Sequence, residues 1–280
     1  MQVQWYPGHM TKTRRQLEDR LGQVQIVIDV LDARAPAASS NPDLQQLVSG
    51  KKVLHVLNKA DLADPQITAQ WIRYFAERDE AAIPYSVPHD KAKLLKEEIV
   101  HISEPLLVRY EEKGVRKILR GLVAGVPNVG KSAILNRLLG TRRMEEGNRP
   151  GVTRSLQWAK IDPYLEILDS PGLLWPKFED EKVGAVLALL GSVRREILDE
   201  EELACYLIRL LKGTDPDALT GRYGITDLEG EPYEILEAIS RRRGFLLRGG
   251  DADTERGART LLDEFRSGKL GRVSLEKPPR

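Results

Sequence analysis

Residues 125–132, Gly-Val-Pro-Asn-Val-Gly-Lys-Ser, constrain the fold more than any other stretch of this chain. A Gly-x-x-x-x-Gly-Lys-Ser octet is a strand-to-helix turn whose consecutive backbone N–H groups surround an anion. The run 118–125, Ile-Leu-Arg-Gly-Leu-Val-Ala-Gly, supplies the apolar strand that must precede it, and a helical stretch follows. Val129, Gly130, Lys131, Ser132 and Ala133 are thus expected to cradle phosphates. The backbone and helix N-terminus bind the charge, Lys131 neutralises the outer phosphates, and the Ser132 hydroxyl ligates Mg2+.

Other β-rich apolar runs occur at 24–31, 52–57 and 82–87, each followed by turn residues and a helical stretch. This alternation indicates a parallel sheet with helices on both faces. The runs 155–161 and 164–169 flank Asp162 and Pro163 and read as a hairpin, giving the sheet one antiparallel edge. After Pro176 the strands stop, and helices are expected near 180–191, 200–212, 231–242 and 254–267. The tail 269–280 is expected to be frayed or extended. The fold class is therefore α/β, a P-loop NTPase domain with a mostly parallel sheet over residues 1–176, followed by a small all-α domain over 177–280.

Asn-Lys-Ala-Asp at 58–61 narrows the nucleotide to a guanine one, GTP or GDP. The Asp61 carboxylate can accept two hydrogen bonds, from guanine N1–H and the 2-amino group, while Asn58 meets the other edge of the base and Lys59 packs along the ring. Adenine lacks the 2-amino donor and would leave that acceptor unpaired, at about 1–3 kcal/mol or more. Tyr-Ser-Val at 85–87 is the candidate loop for a backbone N–H, at Ser86 or Val87, reaching guanine O6. Asp-Ser-Pro-Gly at 169–172 ends a strand where a second Mg2+ carboxylate, Asp169, is needed, and the Gly172 N–H can bind the γ-phosphate. Thr153 stands between the two phosphate motifs, where its hydroxyl can complete the Mg2+ shell in the GTP state.

The base-reading quartet comes before the phosphate loop, the reverse of the usual GTPase order. In a doubly wound sheet the ligand loops sit at the carboxyl ends of the strands, so the pocket depends on strand position in space and survives a circular permutation of the chain. One consequence is that the Thr153 and Asp169 loops come last, just before the helical region. Contacts to a γ-phosphate are expected to be passed on through Leu-Leu-Trp-Pro-Lys-Phe at 173–178.

Together these motifs resemble the circularly permuted GTPases. The resemblance rests on the reversed order, on Trp-Tyr-Pro-Gly-His-Met at 5–10, on Asp-Val-Leu-Asp-Ala-Arg-Ala-Pro at 29–36, on the phosphate loop and on Asp-Ser-Pro-Gly, and it spans about residues 3–175. It implies a GTP-hydrolysing assembly factor of the large ribosomal subunit whose C-terminal helical domain binds RNA, although no motif in that domain matches residue by residue. Ser86-Val87 departs from the commoner Ser-Ala pair. Where many GTPases carry a water-orienting glutamine after the glycine, this chain has Leu173, so slow intrinsic turnover is expected. The resemblance suggests His9 as the substitute; the competing reading is a plain turn residue. Asn128 has two readings as well, a ligand of a K+ ion beside the phosphates or an ordinary loop residue.

The net charge of +1 conceals a basic end: residues 241–280 carry +5 and residues 181–240 carry −7. With Lys12, Arg14, Arg15 and Arg20, and with Lys113, Arg116, Lys117 and Arg120, the arginines of 241–248 form three basic clusters. These are expected to face rRNA of the large ribosomal subunit. With 41% hydrophobic and 30% charged residues, no apolar run of membrane-spanning length and a single cysteine, Cys205, the chain reads as a cytoplasmic monomer with no membrane partner and no disulfide. Two rivals remain open: a P-loop kinase, which the quartet at 58–61 disfavours, and a nearly inactive RNA-binding scaffold that only retains nucleotide.

Overall fold

The computed structural model describes residues 9–141, 156–175, 180–193 and 199–279, with backbone alone for 9–13. Its elements run α1 (His9–Leu21), β1 (Ile26–Asp32), α2 (Pro36–Ser39), α3 (Pro42–Leu47), β2 (Lys52–Asn58), α4 (Pro65–Ala76), β3 (Ala81–Tyr85), α5 (Ala92–Glu111), β4 (Leu119–Ala124), α6 (Lys131–Leu139), β5 (Gln157–Asp162) and β6 (Leu165–Asp169). Helices α7 (Glu181–Leu189), α8 (Glu200–Thr214), α9 (Asp217–Tyr223), α10 (Pro232–Arg242) and α11 (Thr254–Arg266) follow.

The strands form one sheet in the order β3-β2-β1-β4-β6-β5. Pairings β1–β2, β2–β3, β1–β4 and β4–β6 are parallel, and β5–β6 is antiparallel. This is the mostly parallel sheet expected from the alternating runs. The hairpin turn is fixed by its own chemistry, since the Tyr164 N–H donates to the Asp162 carboxylate at 2.9 Å. Central β1 is buried at every position, which explains its near-continuous apolar run. Its two aspartates are both met by side chains: Asp29 by His55 Nδ1 at 3.2 Å and Asp32 by Arg34.

One sheet face packs on α5, α6 and the helical region through an apolar cluster that includes Ile28, Val56, Val123, Ile134, Leu187, Leu207 and Phe265. The other face is covered by α1 and α3, around Leu17, Leu21, Val27 and Leu44, and by α4, around Leu57, Trp71 and Phe75. Within the helical region α8 packs on α10 and α11. The helices begin where the sequence offers a cap: Asp64, Asp199 and Asp253 accept backbone N–H groups at the starts of α4, α8 and α11.

Two features differ from the sequence reading. Helix α9 was not expected; it is short, and it forms because Ala218, Leu219 and Tyr223 are buried and because the buried Glu264 accepts hydrogen bonds from Arg222, Tyr223 and Arg243. That contact also commits Arg243, one of the basic-run arginines, to an internal ion pair. The tail is extended but not frayed through residue 276, because Val273, Ser274 and Leu275 are buried.

Candidate functional site

Asn58 ends β2, Tyr85 ends β3, Gly125 follows β4, and Asp169 ends β6. Parallel pairing puts all four carboxyl ends on one edge of the sheet, so motifs far apart in sequence share one place.

In the phosphate loop, Gly125 has φ +142°, and a Cβ there would lie 2.4 Å from the Val30 carbonyl oxygen. Gly130 has φ +102°, and its missing Cβ makes room for Asn58 Nδ2, which a side chain would meet at 2.3 Å. Asn58 Nδ2 donates to the Val129 carbonyl at 2.7 Å, and Lys59 Nζ donates to the Asn128 carbonyl at 2.7 Å. The quartet at 58–61 and the phosphate loop are therefore hydrogen-bonded to each other. Lys59 adopts φ +60°, a left-handed conformation rare for a non-glycine residue, and its ammonium also donates to Asp32 Oδ2 at 2.8 Å.

Lys131 is buried, with Nζ donating to the Val126 carbonyl at 2.8 Å. Asp169 is 1% exposed, and its Oδ1 has no hydrogen-bond partner among the described residues. Burial drives the Lys131 ammonium below the ordinary lysine range and the Asp169 carboxyl above the ordinary carboxylate range, each partly offset by the other's charge. A buried carboxylate with an unsatisfied oxygen beside a phosphate loop is the donor set a hard divalent cation takes up. Asp169 therefore fits as a Mg2+ ligand. Val129 is buried beneath the loop, and Ala133 lies in the first turn of α6.

At the base end, the Ser86 hydroxyl donates to Asp61 Oδ1 at 2.7 Å, and His89 Nε2 lies 3.9 Å from Asp61 Oδ2. The Ser86 N–H donates to Asp90 Oδ2 at 2.6 Å and is therefore already engaged. Gly172 lies against the phosphate loop: a Cβ would come within 2.6 Å of Pro127 Cα. The Leu173 N–H donates to the Gly125 carbonyl at 3.2 Å, while its side chain is buried with Leu17, Leu21 and Leu168 and faces the core. Thr153 lies outside the described residues, and His9 begins α1 with its side chain outside them.

Several contacts at this edge were not singled out from sequence. Asp32, fully buried, accepts from Arg34 Nε and Nη2, each at 2.8 Å, as well as from Lys59. Burial alone would raise its carboxyl, but the Arg34 and Lys59 charges hold it well below the usual carboxylate range. Arg34 Nη1 also donates to the Phe265 carbonyl at the end of α11, at 3.2 Å. Asn128 Nδ2 donates to the Gly191 carbonyl at 2.9 Å, and Ser192 Oγ to the Pro127 carbonyl at 2.7 Å. The helical region thus touches the phosphate loop directly. The only trace of this in the sequence was the Asp-Ala-Arg of 32–34, which marked a family without indicating a role. A separate groove of about 890 Å3, lined by Val27, Asp29, Val53 and His55 among others, contains none of the candidate nucleotide-binding residues.

A family profile described as a 50S ribosome-binding GTPase matches residues 120–241, beginning on β4 and leaving the base-reading quartet upstream, as a permuted order requires. Ribosome biogenesis GTPase A of Bacillus cereus is 39% identical over 99% of this chain and 95% of its own length. Its Thermotoga maritima counterpart is 33% identical over 99% and 95%. A solved structure of GDP-bound TM YlqF superposes with a TM-score of 0.69 at 30% identity, covering 94% of this chain and 99% of that one. GNP-bound YlqF from T. maritima gives a TM-score of 0.64 at 30% identity, covering 95% and 98%. With the motifs gathered at one sheet edge and this similarity running the length of the chain, the protein belongs to the ribosome biogenesis GTPase A family.

Proposed function

We propose that this GTPase is a nucleotide-operated switch that binds the immature large ribosomal subunit in its GTP state and leaves after hydrolysis. The observation that carries the reading is the pair of hydrogen bonds from Asn58 and Lys59 to the phosphate-loop carbonyls, which brings base-reading and phosphate-binding groups together. Guanine is held at Asp61, with the Lys59 stem along its ring and the loop after β3, at Ser86 and Val87, near O6. Its phosphates lie on the N–H groups of 128–133 with Lys131 beside them. Ser132, Asp169 and Thr153 would hold Mg2+, which would supply charge neutralisation for the phosphates.

Gly172 and Thr153 sense the γ-phosphate. His9 orients the attacking water, a role the inward-facing Leu173 cannot fill. Asn128 would hold K+, which would supply positive charge to the phosphates, and faster hydrolysis in potassium than in sodium chloride at matched ionic strength is the outcome expected of it. Residues 177–280 act as the RNA-facing domain, together with the basic groups of α1 and of 113–120. None of the helices among the described residues is long and apolar enough to cross a membrane. The setting is the cytoplasm and the acting form a monomer.

Co-sedimentation with large ribosomal subunits in GDP, in a non-hydrolysable GTP analogue and without nucleotide tests the switch, with retention expected in the analogue alone. Equal retention in all three states contradicts it. The buried Leu173 also favours a second reading, a nearly inactive scaffold. Single-turnover hydrolysis that large subunits leave unchanged supports that reading.

A further inference from the structure

The chain after α11 does not leave the molecule. It runs back across the loop between β2 and α4, the loop that carries Asp61. Arg272 Nη2 donates to the Ala60 carbonyl at 3.0 Å and Nε to the Ala63 carbonyl at 2.9 Å. The Val273 N–H donates to the Leu62 carbonyl at 3.0 Å, and Ser274 Oγ accepts from the Asp64 N–H at 3.1 Å. The segment is anchored further along: the Leu275 N–H donates to the Arg34 carbonyl at 2.7 Å, and Glu276 Oε2 accepts from the Ala38 N–H at 3.1 Å. Upstream, Gly268 has φ +76° and passes so close to the loop that a Cβ would lie 2.5 Å from Leu62 Cδ2.

This loop needs holding. Lys59 at φ +60° is in a conformation that persists only where its surroundings over-determine it. From the inside the loop is fixed by Asp32, by the Asn128 carbonyl and by the Ala60 N–H, which donates to the Tyr85 carbonyl at 3.1 Å. From the outside it is fixed by the returning segment. Asp61 stands between Ala60 and Leu62, and the carbonyls of both neighbours accept from that segment. Its carboxylate is steadied on the far side by the Ser86 hydroxyl.

We infer that Arg272 and Ser274 are positioning residues for guanine recognition, a strap that sets the place of the Asp61 carboxylate without touching the nucleotide. The inference rests on the reading that Asp61 receives the base. Because the strap continues directly from α11, any movement of that helix is transmitted to the base loop as well as to the phosphate loop.

The test compares the affinities and release rates of GDP and IDP, which lacks the 2-amino group, in the full-length parent and in Arg272→Ala, Arg272→Lys and Ser274→Ala. Folding is checked by circular dichroism. Arg272 is exposed, so its truncation should leave the fold intact. Arg272→Ala should weaken GDP on the order of fivefold, as loss of two hydrogen bonds to loop carbonyls implies. IDP should weaken less, so that the GDP-to-IDP preference shrinks. Arg272→Lys should restore part of the preference, and Ser274→Ala should shift it less in the same direction. If Arg272→Ala fails to fold, the other two variants decide the matter by the same preference. Folded variants that keep the parent's preference overturn the inference, whether GDP and IDP weaken equally or not at all. A parent that binds IDP as tightly as GDP removes the Asp61 reading itself, and the strap's role with it.

Discussion

Replacing Asp32 by Asn isolates the buried charge cluster that joins the base loop, the sheet and the helical region. The carboxylate is fully buried, and three side-chain hydrogen bonds of 2.8 Å reach it, two from Arg34 and one from Lys59. Asparagine keeps the shape and one acceptor oxygen but removes the only negative charge among these three residues. Two cations are then left facing each other, Arg34 buried and Lys59 partly exposed. Removing one partner of a buried ion pair costs about 3–5 kcal/mol. Counted instead as two lost hydrogen bonds to a charged group, at about 1.5–3 kcal/mol each, the loss is similar. Because the asparagine oxygen retains one bond, about 3 kcal/mol is expected. Urea unfolding of the nucleotide-free chain near neutral pH measures it, with an unchanged slope and a lower midpoint. The Asp32→Asn, Arg34→Met double variant should lose less than the sum of the single losses, because Arg34 no longer carries an unpaired charge. The sign with pH follows from the depressed carboxyl: its stabilisation is full above the unfolded value near 3.8 and is lost as pH falls through the folded one. A loss under about 1 kcal/mol for Asp32→Asn would refute the view that this cluster carries a substantial share of stability.

Gly172→Ala places a Cβ 2.6 Å from Pro127 Cα, so either the Asp169 loop or the phosphate loop must shift. Overpacking of this kind costs about 1–3 kcal/mol. Single-turnover GTP hydrolysis should fall by about tenfold or more while circular dichroism is unchanged, and parental turnover would show that the two loops do not meet in the working state. Burial raises the Glu276 carboxyl to about 7 from 4.5, against the Ala37 and Ala38 N–H groups and beside the Asp32 charge. Its stabilisation is therefore full below the unfolded value and is lost as pH rises through about 7, so the urea midpoint should fall between about pH 5 and about pH 8. Glu276→Gln should flatten that slope; an identical slope in both proteins refutes the assignment.

The sheet was legible in the sequence because its strands are short, β-rich runs closed by turn residues, while its register was not, because strands buried on both faces lack the alternation that fixes it. The phosphate loop was legible for a different reason. Each of its special positions meets a local requirement, such as φ +102° at Gly130, that few residues satisfy. What escaped notice depends on contacts distant in sequence. Helix α9 has a Gly and a Thr within seven residues and little helical preference, and it owes its existence to burial and to Glu264. The tail reads in sequence as frayed or extended, because Gly271 and the prolines at 278 and 279 break helical pattern, and the buried Val273, Ser274 and Leu275 decide for the extended form. Its partners, Ala60, Leu62, Ala63 and Arg34, lie more than 200 residues earlier. Leu173 lacks the hydrogen bonding of a glutamine, and its side chain goes into the core against α1.

The central claim is that residues 58–61 and 125–132 grip a single guanine nucleotide from its two ends, and Asp61→Asn tests it most directly. The amide turns one acceptor into a donor, so the pairing with N1–H and the 2-amino group is lost, and xanthine, with an oxygen in place of that amine, becomes the matching base. Titrating parent and variant with GDP and XDP should show GDP affinity falling by about 100-fold or more in Asp61→Asn while XDP binding appears. An Asp61→Asn protein that holds GDP as tightly as the parent and ignores XDP would contradict the account.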